Sequence, residues 1–298
     1  MTTKMLNDGT VIPLLAYGTA TVHNNTDPTP SILLALQKGF RHVETARVYG
    51  NESFIKSAIE QWEGGGREDV FIQSNWGETS AVGYEHDPER SLMETLTLLG
   101  TEYLDMYLIH GPNLMYPLTL VEAWQKMEDF HARGLVRSIG LSNFPAEEIE
   151  ELSRVWKVKP SVNQVEYHPY CYRLPRMQSM LALCHSHDIA VQPFTCLAPL
   201  TRWPGGPAEV AAREVAEKKG AGVSAAQVLL VWARQMTGGP LLTTCKKEHQ
   251  YEEIFDSLSL SLSPAEMELI SAAGRSAPQK RRYALKVWGD AASTGYVR

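Results

Sequence analysis

Eight short apolar runs, each followed by a longer stretch with helical periodicity, succeed one another along this 298-residue chain. They cover residues 14–18, 42–44, 70–75, 104–110, 136–142, 162–167, 190–195 and 240–245. Strands separated by helix-length crossovers pair in parallel, so the alternation predicts a parallel sheet with helices outside it. Eight rounds in a chain of this length favour a closed α/β barrel, a (β/α)8 TIM barrel, over an open doubly wound sheet. No strand leads into a G-x-G-x-x-G turn, and Gly64-Gly65-Gly66 follows a helical stretch and reads as a loop. The turn sequence Asn7-Asp8-Gly9 predicts an N-terminal β-hairpin ahead of the first barrel strand. With no low-complexity tract or long linker, residues 1–298 read as a single barrel domain.

The helices carry their own punctuation. Asp87-Pro88-Glu89 offers an N-cap with Pro at the first helical position. Ser224-Ala225-Ala226-Gln227 reads as a capping box, and Gly134 as a helix stop. A net charge of −6 argues against a nucleic-acid partner. No run approaches the ~18 apolar residues needed to span a membrane, and the first residues lack a signal-peptide core. Cys171, Cys184, Cys196 and Cys245 show neither CxxC pairing nor metal-ligand spacing, so a reduced, cytoplasmic, metal-free protein is expected. Lys280-Arg281-Arg282 reads as a solvated tail.

A barrel concentrates chemistry at the C-terminal ends of its strands. Those ends collect Glu44, Tyr49 in the loop just beyond, Asn75, His110, Ser142-Asn143, Gln164, Glu166, Phe194 and Cys245. Any one of them alone would pass for a hydrogen-bonded rim residue. So many polar groups at one mouth point to an active site.

The segment from Gly39 to Glu52, with His42-Val43-Glu44-Thr45-Ala46-Arg47-Val48-Tyr49-Gly50, resembles the first signature of the aldo-keto reductases. Leu104-Asp105-Met106-Tyr107-Leu108-Ile109-His110, Ile139-Gly140-Leu141-Ser142-Asn143-Phe144 and Asn163-Gln164-Val165-Glu166-Tyr167-His168-Pro169-Tyr170 resemble later family segments, in the right order. The resemblance implies hydride transfer from a nicotinamide to a carbonyl carbon while Tyr49 protonates the oxygen. It implies His110 as an orienter or proton shuttle. Two members of the implied tetrad differ: Glu44 stands in place of an Asp, and Asn75 in place of a Lys. Asn75 brings no charge to lower the phenol's pKa, and an ionised Glu44 would raise it.

For the cofactor, NADP(H) or NAD(H), the resemblance implies that Ser142, Asn143 and Gln164 hold the carboxamide and that Phe194 stacks on the nicotinamide. At the adenosine-phosphate end Thr244 and Cys245 replace a Lys-Ser pair, Gln250 replaces an Arg, and Lys246 and Lys247 are the neighbouring cations. Gly111 in place of a Trp implies a roomy pocket for a bulky hydrophobic carbonyl substrate, with residues 196–207 as a mobile loop over it. Three functions fit these residues: a carbonyl reductase with an altered tetrad; a non-redox isomerase, dehydratase or cyclase using Tyr49, His110 and Glu44; or a binding pseudoenzyme.

Overall fold

The computed structural model describes residues 2–77 and 87–288. The predicted hairpin comes first, β1 (Thr3–Met5) antiparallel to β2 (Val11–Pro13). Gly9 turns the chain at φ 86°, and Asp8 Oδ1 accepts from the Thr10 N–H. Leu6 and Ile12 pack on Phe71, Met106, Leu108, Val162 and Ala190, which plugs the N-terminal end of the barrel. The opposite end stays open for a site.

The barrel strands are β3 (Leu15–Gly18), β4 (His42–Glu44), β5 (Phe71–Trp76), β6 (Met106–Ile109), β7 (Ile139–Ser142), β8 (Val162–Glu166), β9 (Ala190–Phe194) and β10 (Leu241–Thr243). All seven pairings are parallel, in the order β10-β3-β4-β5-β6-β7-β8-β9, and β9 lies against β10 to nearly close the ring. Strands β6 and β7 are shorter than the apolar runs that predict them. Leu104 and Val136 meet only in an isolated bridge, beside Asp105, whose carboxylate is shared by Arg67 and Arg137.

The outer helices are α1 (Thr29–Gln37), α2 (Glu52–Gln61), α3 (Pro88–Leu99), α4 (Leu120–Ala132), α5 (Ala146–Ser153), α6 (Pro175–Ser186), α7 (Ala198–Thr201), α8 (Pro207–Lys219), α9 (Ala225–Thr237), α10 (Glu248–Asp256), α11 (Pro264–Arg275) and α12 (Leu285–Trp288). The punctuation read from sequence operates as expected. Asp87 Oδ1 accepts from the N–H groups of Glu89 and Arg90 with Pro88 beside it, and Ser224 and Gln227 cap α9 reciprocally at 3.1 and 3.0 Å. Gly134 ends α4 at φ 73°.

Two expectations are overturned. Residues 196–207, expected as a mobile loop over the pocket, do line it, but as short helix α7 and the lead into α8, because Ala198 and Pro199 are buried and anchor the segment. Lys280-Arg281-Arg282 is not a solvated tail. Arg281 is buried over the Trp288 ring, the Lys280 ammonium lies over Tyr170 and Trp203, and the Arg282 N–H donates to Glu166. The C-terminal segment thus crosses the open end of the barrel.

Helix α11 docks on the segment after β8 through Gly274, where a Cβ would lie 2.0 Å from the Pro169 carbonyl oxygen. Intrinsic helix propensity favours Ala over Gly by ~1 kcal/mol. A backbone overlap of that size outweighs it. We expect Gly274→Ala to destabilise the protein by roughly 1–3 kcal/mol in chemical denaturation. A gain in stability would show that α11 is not held at this distance.

Candidate active site

Glu44 ends β4, and Tyr49 follows it in a single 3₁₀ turn, Arg47–Tyr49. Asn51 fixes that turn: its Nδ2 donates to the carbonyls of Thr19 and His23, and its Oδ1 accepts from the hydroxyls of Thr19 and Thr45. Asn51 was not singled out from the sequence. Its role depends on contacts made between two loops, those after β3 and β4, and only its place in the signature segment hinted at it.

A cavity of about 590 Å³ opens at this end of the barrel. Glu44, Tyr49, His110, Asn143, Gln164, Phe194 and Thr244 all reach its wall. Asn75 and Ser142 lie just beneath, fully buried and bonded to lining residues. Cys245, Lys246 and Gln250 are not brought to it. Cys245 is buried, with its carbonyl accepting from Tyr17 and Tyr251 and its thiol pushed up to about 12 by burial. Lys246 is exposed, and Gln250 Oε1 caps α10 by accepting from the N–H groups of Lys246 and Lys247. The cavity also takes in Arg202, from the segment expected to cover it, and two residues that the sequence did not reveal, Tyr283 and Ala284 of the C-terminal segment.

The centre is a buried carboxyl with neutral partners. Asn75 Nδ2 donates to Glu44 Oε1 at 2.7 Å and to the Thr45 carbonyl at 2.9 Å. The Tyr49 hydroxyl approaches the same Oε1 at 3.5 Å. Glu44 Oε2 has no partner. Burial raises the Glu44 pKa to about 8, against the opposing hydrogen bonds of Asn75, Gln164 and Tyr49. At neutral pH the group is therefore mainly a carboxylic acid. With Oε1 accepting twice, its proton belongs on Oε2. The charge that an ionised Glu44 would place beside the phenol is largely absent.

Tyr49 is half-buried, and desolvation, followed by the neighbouring Glu44, holds its pKa well above the usual phenol value. It keeps its proton throughout the working range. His110 meets it edge-on, with ring centroids 5.9 Å apart. Desolvation lowers the His110 pKa to about 4, so the ring is a neutral imidazole, suited to orienting an oxygen rather than supplying an imidazolium proton.

Beside this acid centre lies a wall of amides. Asn143, at φ 64°, donates from Nδ2 to the His110 carbonyl and to Ser142 Oγ, leaving its buried Oδ1 without a partner. Gln164 is oriented by Gln192, whose Oε1 accepts from Gln164 Nε2 at 3.0 Å. Phe194 presents its ring next to them. An unsatisfied acceptor, an oriented amide and an aromatic ring fit a nicotinamide with its carboxamide. Among the described residues no group of His, Cys, Asp and Glu could hold a metal ion, and no helix is long and apolar enough to cross a membrane.

The family model described as Aldo/keto reductase family matches residues 15–275. The NAD/NADP-dependent indole-3-acetaldehyde reductase of Schizosaccharomyces pombe is 36% identical over 264 residues, which covers 85% of this chain and 89% of the relative. Glyoxal reductase of Bacillus subtilis is 33% identical over 271 residues, 91% and 92% of the two chains. Among solved structures, a Bombyx mori aldo-keto reductase in complex with NADP superposes with TM-score 0.79 at 27% identity, covering 91% of this chain and 92% of that one. Family model and relatives agree, and the chain belongs to the aldo/keto reductase family.

Proposed function

We propose that this protein, acting as one barrel unit, reduces the carbonyl of a bulky, largely apolar substrate, with Tyr49 as proton donor in a charge-neutral tetrad. The observation that carries the reading is the position of the protonated Tyr49 hydroxyl on the cavity wall, beside His110 and next to Asn143, Gln164 and Phe194. A nicotinamide held against those three residues would supply the hydride. Asn143 and Gln164 would hold its carboxamide, and Phe194 its ring face. Tyr49 holds a proton at its hydroxyl and gives it to the substrate oxygen. Glu44 is the acid group beside it, its Oε1 accepting from the Tyr49 hydroxyl at 3.5 Å, and while uncharged it adds no negative charge next to the phenol. His110, neutral, orients the oxygen, and Asn75 holds the Glu44 carboxyl in place. Gly111 and Leu114 line the cavity where a bulky side chain would fill it, in keeping with a large substrate.

A second reading draws on one specific feature. A buried acid with a pKa of about 8 is poised for proton transfer at neutral pH without any hydride donor. Under it, Glu44 and Tyr49 would enolise or dehydrate a ketone.

Titration with NADPH and NADH, followed by nicotinamide fluorescence, separates the two. The cavity's adenosine end offers Thr243 and Thr244 with Lys246 exposed outside it, and Arg202 is the basic side chain on its wall. Discrimination by the 2′-phosphate should therefore be weak. We expect both nucleotides to bind, with dissociation constants within about tenfold, less than the ~1.5–3 kcal/mol of one charge-assisted hydrogen bond to phosphate. Turnover of indole-3-acetaldehyde, a bulky and largely apolar aldehyde, should then require one of them. Absence of saturable binding by either would sink the reductase reading. Turnover of a ketone in protein freed of nicotinamide would establish the second.

A further inference from the structure

Glu166 ends β8 without reaching the cavity wall, and no step above uses it. It is fully buried. Its carboxylate accepts from His168 Nε2 at 3.1 Å, from the Arg282 N–H at 3.0 and 3.1 Å, and from the Tyr283 N–H at 2.7 Å. The Arg281 guanidinium lies 3.7 Å away. Burial opposes the charge, but His168, Arg281 and the Tyr283 N–H outweigh it and hold the carboxyl below its usual range. Burial likewise disfavours the His168 cation, and Cys171 and Glu166 overcome that, raising it to about 9. Glu166 is thus a paired anion whose remaining acceptor capacity goes to two consecutive backbone N–H groups.

That arrangement has a consequence for the cavity. Backbone N–H groups have no rotamers, so a carboxylate that binds two in succession fixes the direction of the chain itself. The chain so fixed places the Tyr283 ring against Phe194, centroids 5.6 Å apart and planes at 65°, and puts Tyr283 and Ala284 on the cavity wall. Ala284 sits at φ 52°, a left-handed conformation that an alanine holds only when its surroundings impose it. Lys280 over Trp203 and Arg281 over Trp288 brace the segment on either side.

We propose that Glu166 is a positioning residue for substrate binding, holding the backbone of Arg282 and Tyr283 so that Tyr283 forms the cavity wall beside Phe194. The inference rests on the reading of this cavity as the reductase site.

Glu166→Gln retains the shape but removes the charge, and its amide turns a donor towards backbone N–H groups that need an acceptor. In the full-length protein with NADPH and indole-3-acetaldehyde, KM should rise about tenfold or more while kcat changes by less than about threefold. Tyr283→Ala should raise KM similarly. The double variant should be no worse than Tyr283→Ala alone, because both changes act through one element. An unchanged KM in Glu166→Gln, or effects that multiply in the double variant, overturns the proposal. Should Glu166→Gln fail to fold, Tyr283→Ala and limited trypsin digestion of the unsubstituted protein carry the test. An unchanged KM, or cleavage after Lys280, Arg281 or Arg282 ahead of global unfolding, then overturns it. Failure of the reductase reading shows separately, as absence of saturable NADPH and NADH binding by the unsubstituted protein.

Discussion

Tyr49→Phe should lower kcat/KM for aldehyde reduction by roughly 10²–10⁴-fold, the usual worth of a positioned general acid. The substitution removes one oxygen and leaves the ring, so the edge contact with His110 at 5.9 Å persists and the cavity keeps its shape. On the proposed reading Asn143, Gln164 and Phe194 hold the nucleotide, so its dissociation constant should stay within about threefold. The other acids nearby are poor substitutes. His110 is a neutral imidazole, and the Glu44 proton lies behind the phenol position, on an oxygen next to Gly18. A loss under about fivefold, measured in steady state with saturating NADPH, would move the proton donor elsewhere. Glu44→Gln would then be the next variant to examine, since Glu44 is the remaining proton reservoir.

Much of this molecule is legible in its sequence, because local rules suffice for it. The eight strands declare themselves as apolar runs, and Asp87, Ser224 and Gly134 mark helix ends through contacts within four residues. Glu44, Tyr49, His110, Asn143, Gln164 and Phe194 reach one cavity because strand ends in a parallel barrel share one face. What escaped depends on distant partners. Lys280-Arg281-Arg282 has the composition of a solvated stretch, yet it is ordered by a carboxylate 116 residues earlier acting on backbone groups, which carry no side-chain signature. Gln250 and Cys245 occupy motif positions, but their groups are spent on capping α10 and packing on Tyr17 and Tyr251. The protonation of Glu44 could not be read at all. A carboxyl's charge state depends on how completely water is excluded, and that is a property of the closed barrel.

Glu44 and Asn75 are best tested as a pair, and the expected gain comes from restoring charge where the site is now neutral. With Glu44 at a pKa of about 8, reduction should decline as pH rises through 8. Above that value Glu44 is an anion, and its negative charge pushes the phenol's pKa higher still, which weakens Tyr49 as a proton donor. Below 8 the profile should be flat until other groups titrate. An ammonium at position 75 reverses both effects: it stabilises the Glu44 carboxylate, moving that ionisation to lower pH, and it lowers the Tyr49 pKa, by ~1–3 units for an adjacent opposite charge. The variant should reduce aldehydes about tenfold to a hundredfold faster near neutrality, and the decline near pH 8 should vanish. Volume decides how the change must be made. Asn75 is fully buried with its amide 2.7 Å from Glu44, so Asn75→Lys alone forces a longer side chain into space that the glutamate's extra methylene already occupies. Glu44→Asp combined with Asn75→Lys releases that methylene and makes room for the ammonium between carboxylate and phenol. We therefore expect the double variant to show the full gain and the single Asn75→Lys a smaller one with reduced thermal stability. A double variant that folds yet keeps the original rate and the original decline near pH 8 would mean that Asn75 does not govern proton delivery, and that the ionisation seen in the profile is not that of Glu44.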